Sequence, residues 1–196
     1  MAFCTCQFMR WAVAGFALTT TAFAGGCGPS YMIHKDFKPA PAAEAGRATL
    51  LIIRTTSFGW GITIDEFLDG KMTGQTRGRC FFMTDVPLGS HYVIGDAENK
   101  AVARINFQAA KIYALSQGIY PGFWKARTGF SAMSAAEAKR EMADSSCDYR
   151  EYNAAKPGQD MEANDYKEAI DDFEKETKED PDRHKDTFNY KGFDGL

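Results

Sequence analysis

From residue 47 to about residue 133, short apolar runs alternate with turn residues at intervals of about 8–12 residues, the spacing of an all-β sandwich or barrel. Residues 48–55 (ATLLIIRT) are almost continuously apolar, which suits a central strand buried on both faces. Residues 60–67 (WGITIDEF) alternate in part, and Asp69-Gly70 after them is a hairpin signal leading into residues 71–76. The series continues through residues 79–86, 90–96, 100–108, 111–117 and 123–130, with turns at Pro87-Leu88-Gly89 and Ala97-Glu98-Asn99. In 100–108, Ala101, Ala103, Ile105 and Phe107 alternate with Val102, Arg104 and Asn106, the pattern of a half-buried strand. The expected fold is all-β, a single antiparallel β-sandwich of seven or eight strands over residues 47–147. A short helix closes it. Ser134-Ala135-Ala136-Glu137 is a capping box, and the helix runs to about Ala143, bringing Cys147 near the sheet.

Outside that region the pattern lapses. Residues 148–196 are polar and acidic, with Tyr166, Ile170 and Phe173 on one face of a single amphipathic helix; the rest is expected to be a largely disordered tail. Residues 1–26 read as a signal peptide. Arg10 precedes an apolar run, residues 11–18, and small residues follow. The uncharged span 11–26 holds 16 residues rich in Gly, Ala and Thr, whereas a membrane-crossing helix needs about 20 strongly apolar ones. Two cuts compete. Ala22-Phe23-Ala24 is a small-residue site that would release a soluble secreted protein. Ala24-Gly25-Gly26-Cys27 resembles the lipobox of bacterial lipoproteins, which implies acylation of Cys27 and a membrane partner. Residues 27–46, with Pro29, Pro39 and Pro41, then form a flexible tether.

Charge and cysteine usage narrow the classes further. Residues 148–196 carry 8 Lys+Arg against 15 Asp+Glu, leaving 15 against 11 in the rest. A mildly basic body with an acidic end lacks the concentrated basic face of a nucleic-acid binder. Of five cysteines, Cys4 and Cys6 leave with the signal and Cys27 takes the lipid. Cys80 and Cys147 remain, and an oxidising envelope implies one disulfide between them; two unpaired thiols are the alternative. Neither has a second Cys or His at metal-ligand spacing.

Residues 47–142 resemble a family of uncharacterised bacterial lipoproteins that share a domain of unknown function. The landmarks are Arg54 ending the first strand, the Asp69-Gly70-Lys71 hairpin, the Pro87-Leu88-Gly89-Ser90-His91 turn and the strand Ala109-Ala110-Lys111-Ile112-Tyr113-Ala114. That family's last motif places Gly and Tyr where Ala110 and Ala114 stand here. The resemblance implies a small β-sandwich on a lipid anchor, and the absence of Asp after Cys27 resembles the default routing of such lipoproteins to the outer membrane. It implies no activity.

No reaction motif stands out. His34, His91 and His184 are scattered, and no cofactor fingerprint or metal set occurs. Asp65 and Glu66 are adjacent, and neighbours in a strand point to opposite faces, so they cannot act as an acid–base pair. Large rings cluster beside Gly and Pro: Phe58 and Trp60 in one loop, Tyr120, Phe123 and Trp124 in another. They either plug the ends of the sandwich or form an apolar rim for a glycan, a peptide or an envelope protein. The expected function is a non-enzymatic, lipid-anchored binding or structural module. The competing expectation is an envelope enzyme acting on glycan or peptide around His91 and Glu98.

Overall fold

The computed structural model of the chain describes residues 31–37, 46–123 and 126–196. The expected signal peptide, Cys27 and Trp124 lie outside them. Among the described residues there are ten strands: β1 (Met32–His34), β2 (Ala48–Arg54), β3 (Thr63–Leu68), β4 (Lys71–Arg77), β5 (Cys80–Val86), β6 (Gly89–Asp96), β7 (Lys100–Phe107), β8 (Ile112–Pro121), β9 (Ala126–Ala132) and β10 (Asp148–Tyr152). The helices are α1 (Ala135–Ala143), α2 (Ala163–Glu179) and α3 (Lys185–Phe188). The protein is thus mostly β-strand, in two sheets. One has six strands in the order β1-β10-β5-β2-β8-β9; the other has four in the order β4-β3-β6-β7.

The expected strands from β2 to β9 all form. Two findings change their arrangement. The strand count is ten, because β1 forms within the stretch read as a tether and β10 within the stretch read as a tail. The pairing is also mixed: β2 runs parallel to β8, and β10 parallel to β5. Parallel pairing of β2 and β8 sets Arg54, the last residue of β2, beside Gln117, and β8 runs on past it to Pro121. β5 and β10 begin at that same end, since Cys80 lies opposite both Arg54 and Asp148. This is the rim end. At the other end is the β3–β4 hairpin, where Asp69 and Gly70 take φ of 50° and 80°; both central residues of such a tight hairpin turn need positive φ.

All seven residues of β2 are buried because the strand has a partner layer on each side. Leu50 and Ile52 meet Phe82, Tyr113 and Leu115 of their own sheet and Leu68, Val93, Ile105 and Phe107 of the other. Leu51 and Ile53 point the opposite way, to a cluster with Phe81, Ala114 and Cys147 that α1 covers through Ala138. The capping box at Ser134 forms, the Glu137 carboxylate accepting from the Ser134 amide at 2.9 Å.

The acidic stretch is not a free tail. Ala169 of α2 is buried against Phe67, Met72 and Ile94 on the outer face of the four-stranded sheet, and Phe173, also buried, meets the Tyr92 ring edge-on. Glu174 accepts from the Tyr92 hydroxyl at 2.8 Å and from Arg104 at 2.7 Å. Further on, Phe193 and Ile112 exchange both backbone hydrogen bonds at 2.9 Å. Composition pointed to disorder because the charges dominate the count; two rings, Tyr166 and Phe173, with Ala169 and Ile170 on one helical face suffice to dock it.

The expected Cys80–Cys147 disulfide is not formed: both cysteines are free and buried. Cys80 lies opposite Arg54 and shares its face, toward the space between the sheets. Cys147 packs with Phe81 and Ala138 on the other face. Close in sequence pairing, the two thiols look away from each other across the sheet. Burial pushes the Cys147 thiol up to about 12 and raises Cys80 as well, so neither is primed to react.

Candidate functional site

The rim end is built from Arg54 outward. Its side chain is fully buried, and its guanidinium donates to the carbonyls of Ile62 at 2.8 Å, Phe58 at 3.1 Å and Gly59 at 2.7 Å. Three buried charge-assisted bonds pin the β2–β3 loop from below. The underside of the loop is apolar: Ile62 packs with Ile64, Ile119, Ala97 and Ala126 and closes the end of the core. The rings stay outside. Phe58 is 56% exposed, Trp60 72%, Tyr120 55% and Phe123 82%. The plug expected of the aromatics is therefore supplied by aliphatics, and these four rings form an exposed rim. Trp124, the fifth ring of the set, lies outside the described residues.

Both aromatic loops reach this end because β2 and β8 are parallel. They are also tied across it. Glu98, in the β6–β7 turn, accepts from the Phe123 amide at 3.0 Å and donates its own amide to Ala126 at 2.9 Å. On the other flank lies a cleft of about 620 Å³, with Met32, His34, Asp148 and Arg150 on one side and Trp60 and the Arg77-Gly78-Arg79 turn on the other. Arg79 is committed to Glu141 and Asp144, both at 2.8 Å. Arg150 reaches Asp148 at 3.6 Å, an ion pair too long for a hydrogen bond.

Beneath the rim, between the sheets, is a buried polar centre that sequence reasoning did not find. Glu66 is fully buried; its Oε1 accepts from Gln117 Nε2 at 2.5 Å and from Thr76 Oγ1 at 3.3 Å. Thr76 Oγ1 also bonds Gln117 Oε1. Burial pushes the Glu66 carboxyl well above the usual carboxylate range, against the pull of these bonds, which favours its neutral form. The available signal was Glu66 falling two residues from Ile64 on the inward face of its strand. Asp65 points the other way, to Gln75 at 2.6 Å, so the expected separation of the two carboxylates holds.

The residues proposed for an enzyme do not meet. His91 sits near the start of β6 and Glu98 beyond its end, about 23 Å apart along an extended chain. Both ring nitrogens of His91 are already engaged, Nδ1 with Asp69 Oδ2 at 2.5 Å and Nε2 with the Leu88 carbonyl at 3.2 Å. Asp69 Oδ1 accepts from the Tyr92 amide at 2.9 Å, so this carboxylate staples the β3–β4 hairpin to β6. Among the described residues no group of three or more His, Cys, Asp or Glu side chains is placed to hold a metal ion, and no helix is long and apolar enough to cross a membrane.

Fold and site together define a β protein of two sheets whose distinguishing surface is an exposed aromatic end beside an arginine-lined cleft. Comparison with known proteins adds no relative: no family model, no curated protein and no solved structure matches the chain.

Proposed function

We propose that the protein is a lipid-anchored binding module of the outer membrane, a β-sandwich that presents its aromatic rim to a glycan or an envelope protein. The observation that carries this reading is the exposure of Phe58, Trp60, Tyr120 and Phe123 at one end, above a core that is already closed without them. Large rings left outside a complete core cost solubility and add nothing to packing, and patches of this kind mark interaction surfaces. The membrane partner follows from the lipobox-like Ala24-Gly25-Gly26-Cys27 and from the resemblance to the lipoprotein family. Two landmarks of that resemblance, Asp69 and His91, are bonded to each other, which supports reading them as one set.

The tether supports the same orientation. Asn153 donates to the Tyr31 carbonyl, and Tyr31 lies beside Gly158 and Met72 in the half nearer the hairpin end. Cys27 is four residues earlier, a reach of at most about 14 Å. A lipid there holds the hairpin end toward the bilayer and turns the rim away from it. Photocrosslinking in intact envelopes tests the reading: probes at positions 60 and 123 capture a partner or glycan, and a probe at the exposed position 167 on α2 does not. Equal capture from all three positions overturns it.

A further inference from the structure

We infer that the cleft between β10 and the Arg77-Gly78-Arg79 turn is a second binding site, which takes a small organic molecule by a single carboxylate. The cleft shares only Trp60 with the four exposed rings and does not depend on binding at the rim.

Its geometry comes from the pairing of β1 with β10. Lys35 donates to the Tyr149 carbonyl at 3.1 Å, and Asn153 to the Tyr31 carbonyl at 2.8 Å. Those bonds make Met32–Tyr152 and His34–Arg150 the non-hydrogen-bonded pairs of the ladder, in which opposed side chains stand closest. Arg150 also lies opposite Phe82, a core residue between the sheets, so Arg150 and His34 project together toward the four-stranded sheet. The turn carrying Arg77 and Arg79 forms the facing wall. Nitrogen donors therefore converge on the cleft from both sides.

The charges there are unequally satisfied. Arg79 is held by Glu141 and Asp144 at 2.8 Å and donates to Ser146 Oγ at 2.9 Å. Arg150 has Asp148 at 3.6 Å, beyond hydrogen-bond range, although its side chain is only 22% exposed. Behind it, Arg54 spends its bonds on three carbonyls, and the neighbouring Glu66 carboxyl favours its neutral form. Burial and the charge of Arg150 both lower the Arg54 guanidinium, so the two cations act on each other. A half-buried guanidinium beside a fully buried one, with its own acid out of bonding reach, is relieved by an incoming anion.

Asp148 limits the charge of that anion. It stands on the same wall as Arg150 with its side chain 48% exposed, so a dianion such as a phosphate monoester meets more repulsion than a monoanion does. A planar carboxylate fits the guanidinium fork. The cleft, about 620 Å³, is far larger than a carboxylate, and Met32 and Trp60 in its lining leave space for an apolar body behind the charge.

The test is titration of the full-length, isotope-labelled protein in detergent, read from its backbone amide resonances. The probes are benzoate, its neutral isostere benzamide, and phenyl phosphate as the dianion. Benzoate is expected to shift the amides of Gly78 and Arg150 and not that of Lys167. It binds at least about tenfold more tightly than benzamide, with affinity falling as salt rises. Arg150→Gln is expected to remove that preference; if this variant fails to fold, Arg77→Gln on the facing wall provides the same readout. Equal affinity for benzoate and benzamide, or an undiminished preference in a folded arginine variant, overturns anion recognition. Tighter binding of phenyl phosphate than of benzoate overturns the assignment to a carboxylate. Shifts confined to Phe58 and Phe123 put the probe on the aromatic rim and overturn the cleft as its site.

Discussion

Glu66 is the residue whose chemistry departs furthest from its exposed counterpart, and it has a direct consequence for stability. Its carboxyl titrates well above the ordinary range in the folded protein and near 4.3 in the unfolded chain. Between those two values the folded state holds a proton that the unfolded state has released. Stability therefore falls as pH rises through that window, by about 1.4 kcal/mol per pH unit at most, and is fully retained below the unfolded value. Glu66→Gln, which copies the neutral form, is expected to raise the denaturant midpoint at pH 7 and to flatten the loss of stability above pH 4.3. A midpoint unchanged at pH 7 would mean that Glu66 is ionised in the fold. Arg54 beside it remains charged, since burial lowers a guanidinium from a value far above neutrality. The two groups of this centre divide the labour: Arg54 holds the rim loop, and Glu66 with Gln117 and Thr76 ties β3, β4 and β8 across the gap between the sheets.

At the scale of elements, α2 is the case where composition misled. It contributes Phe173, only 3% exposed, to a group of rings with Tyr92, His184 and Phe188. Phe173→Ala should cost about 3 kcal/mol, measured by chemical denaturation, and removal of residues 150–196 should prevent stable folding; survival of either change intact would restore the picture of a dispensable tail. The strands from β2 to β9 were legible because each carries its own apolar run or alternation and its own turn. The capping box made α1 legible for the same reason. β1 and β10 were not legible: three and five residues long, they take their strand character from each other and from β5, a long-range pairing that leaves no local pattern. The rings of the rim were legible as a set, because Gly and Pro beside them marked loops. Whether they turned in or out depended on Ile62 and Ile64 at the start of β3 meeting Ile119 of β8, which no local window contains. The thiols failed for a related reason: nearness of Cys80 and Cys147 could be inferred, but not that they occupy opposite faces.

The whole molecule has two unlike ends. One carries the aromatic rim and the arginine cleft. The other carries the Asp69–His91 staple and lies nearer Tyr31, which follows Cys27 by four residues in the sequence. Replacing Cys27 with Ala is expected to move the protein from the membrane fraction to the soluble fraction while leaving its thermal midpoint unchanged; full retention on membranes would sink lipid anchoring at this residue. The same variant separates the two cuts, since cleavage after Ala24 makes Cys27 immaterial to location.

The pairing of β1 with β10 has a mechanical consequence in such a molecule. If the N-terminal segment is fixed to a bilayer and a target is gripped at the rim, tension between the two enters the fold through Tyr31 and pulls β1 along its own axis. The three residue pairs from Met32–Tyr152 to His34–Arg150 are then loaded together in shear, with their hydrogen bonds across the line of force. They resist as a group and are not peeled apart one by one. A strand too short to be seen in the chain's own pattern becomes the grip through which the anchor holds everything beyond it.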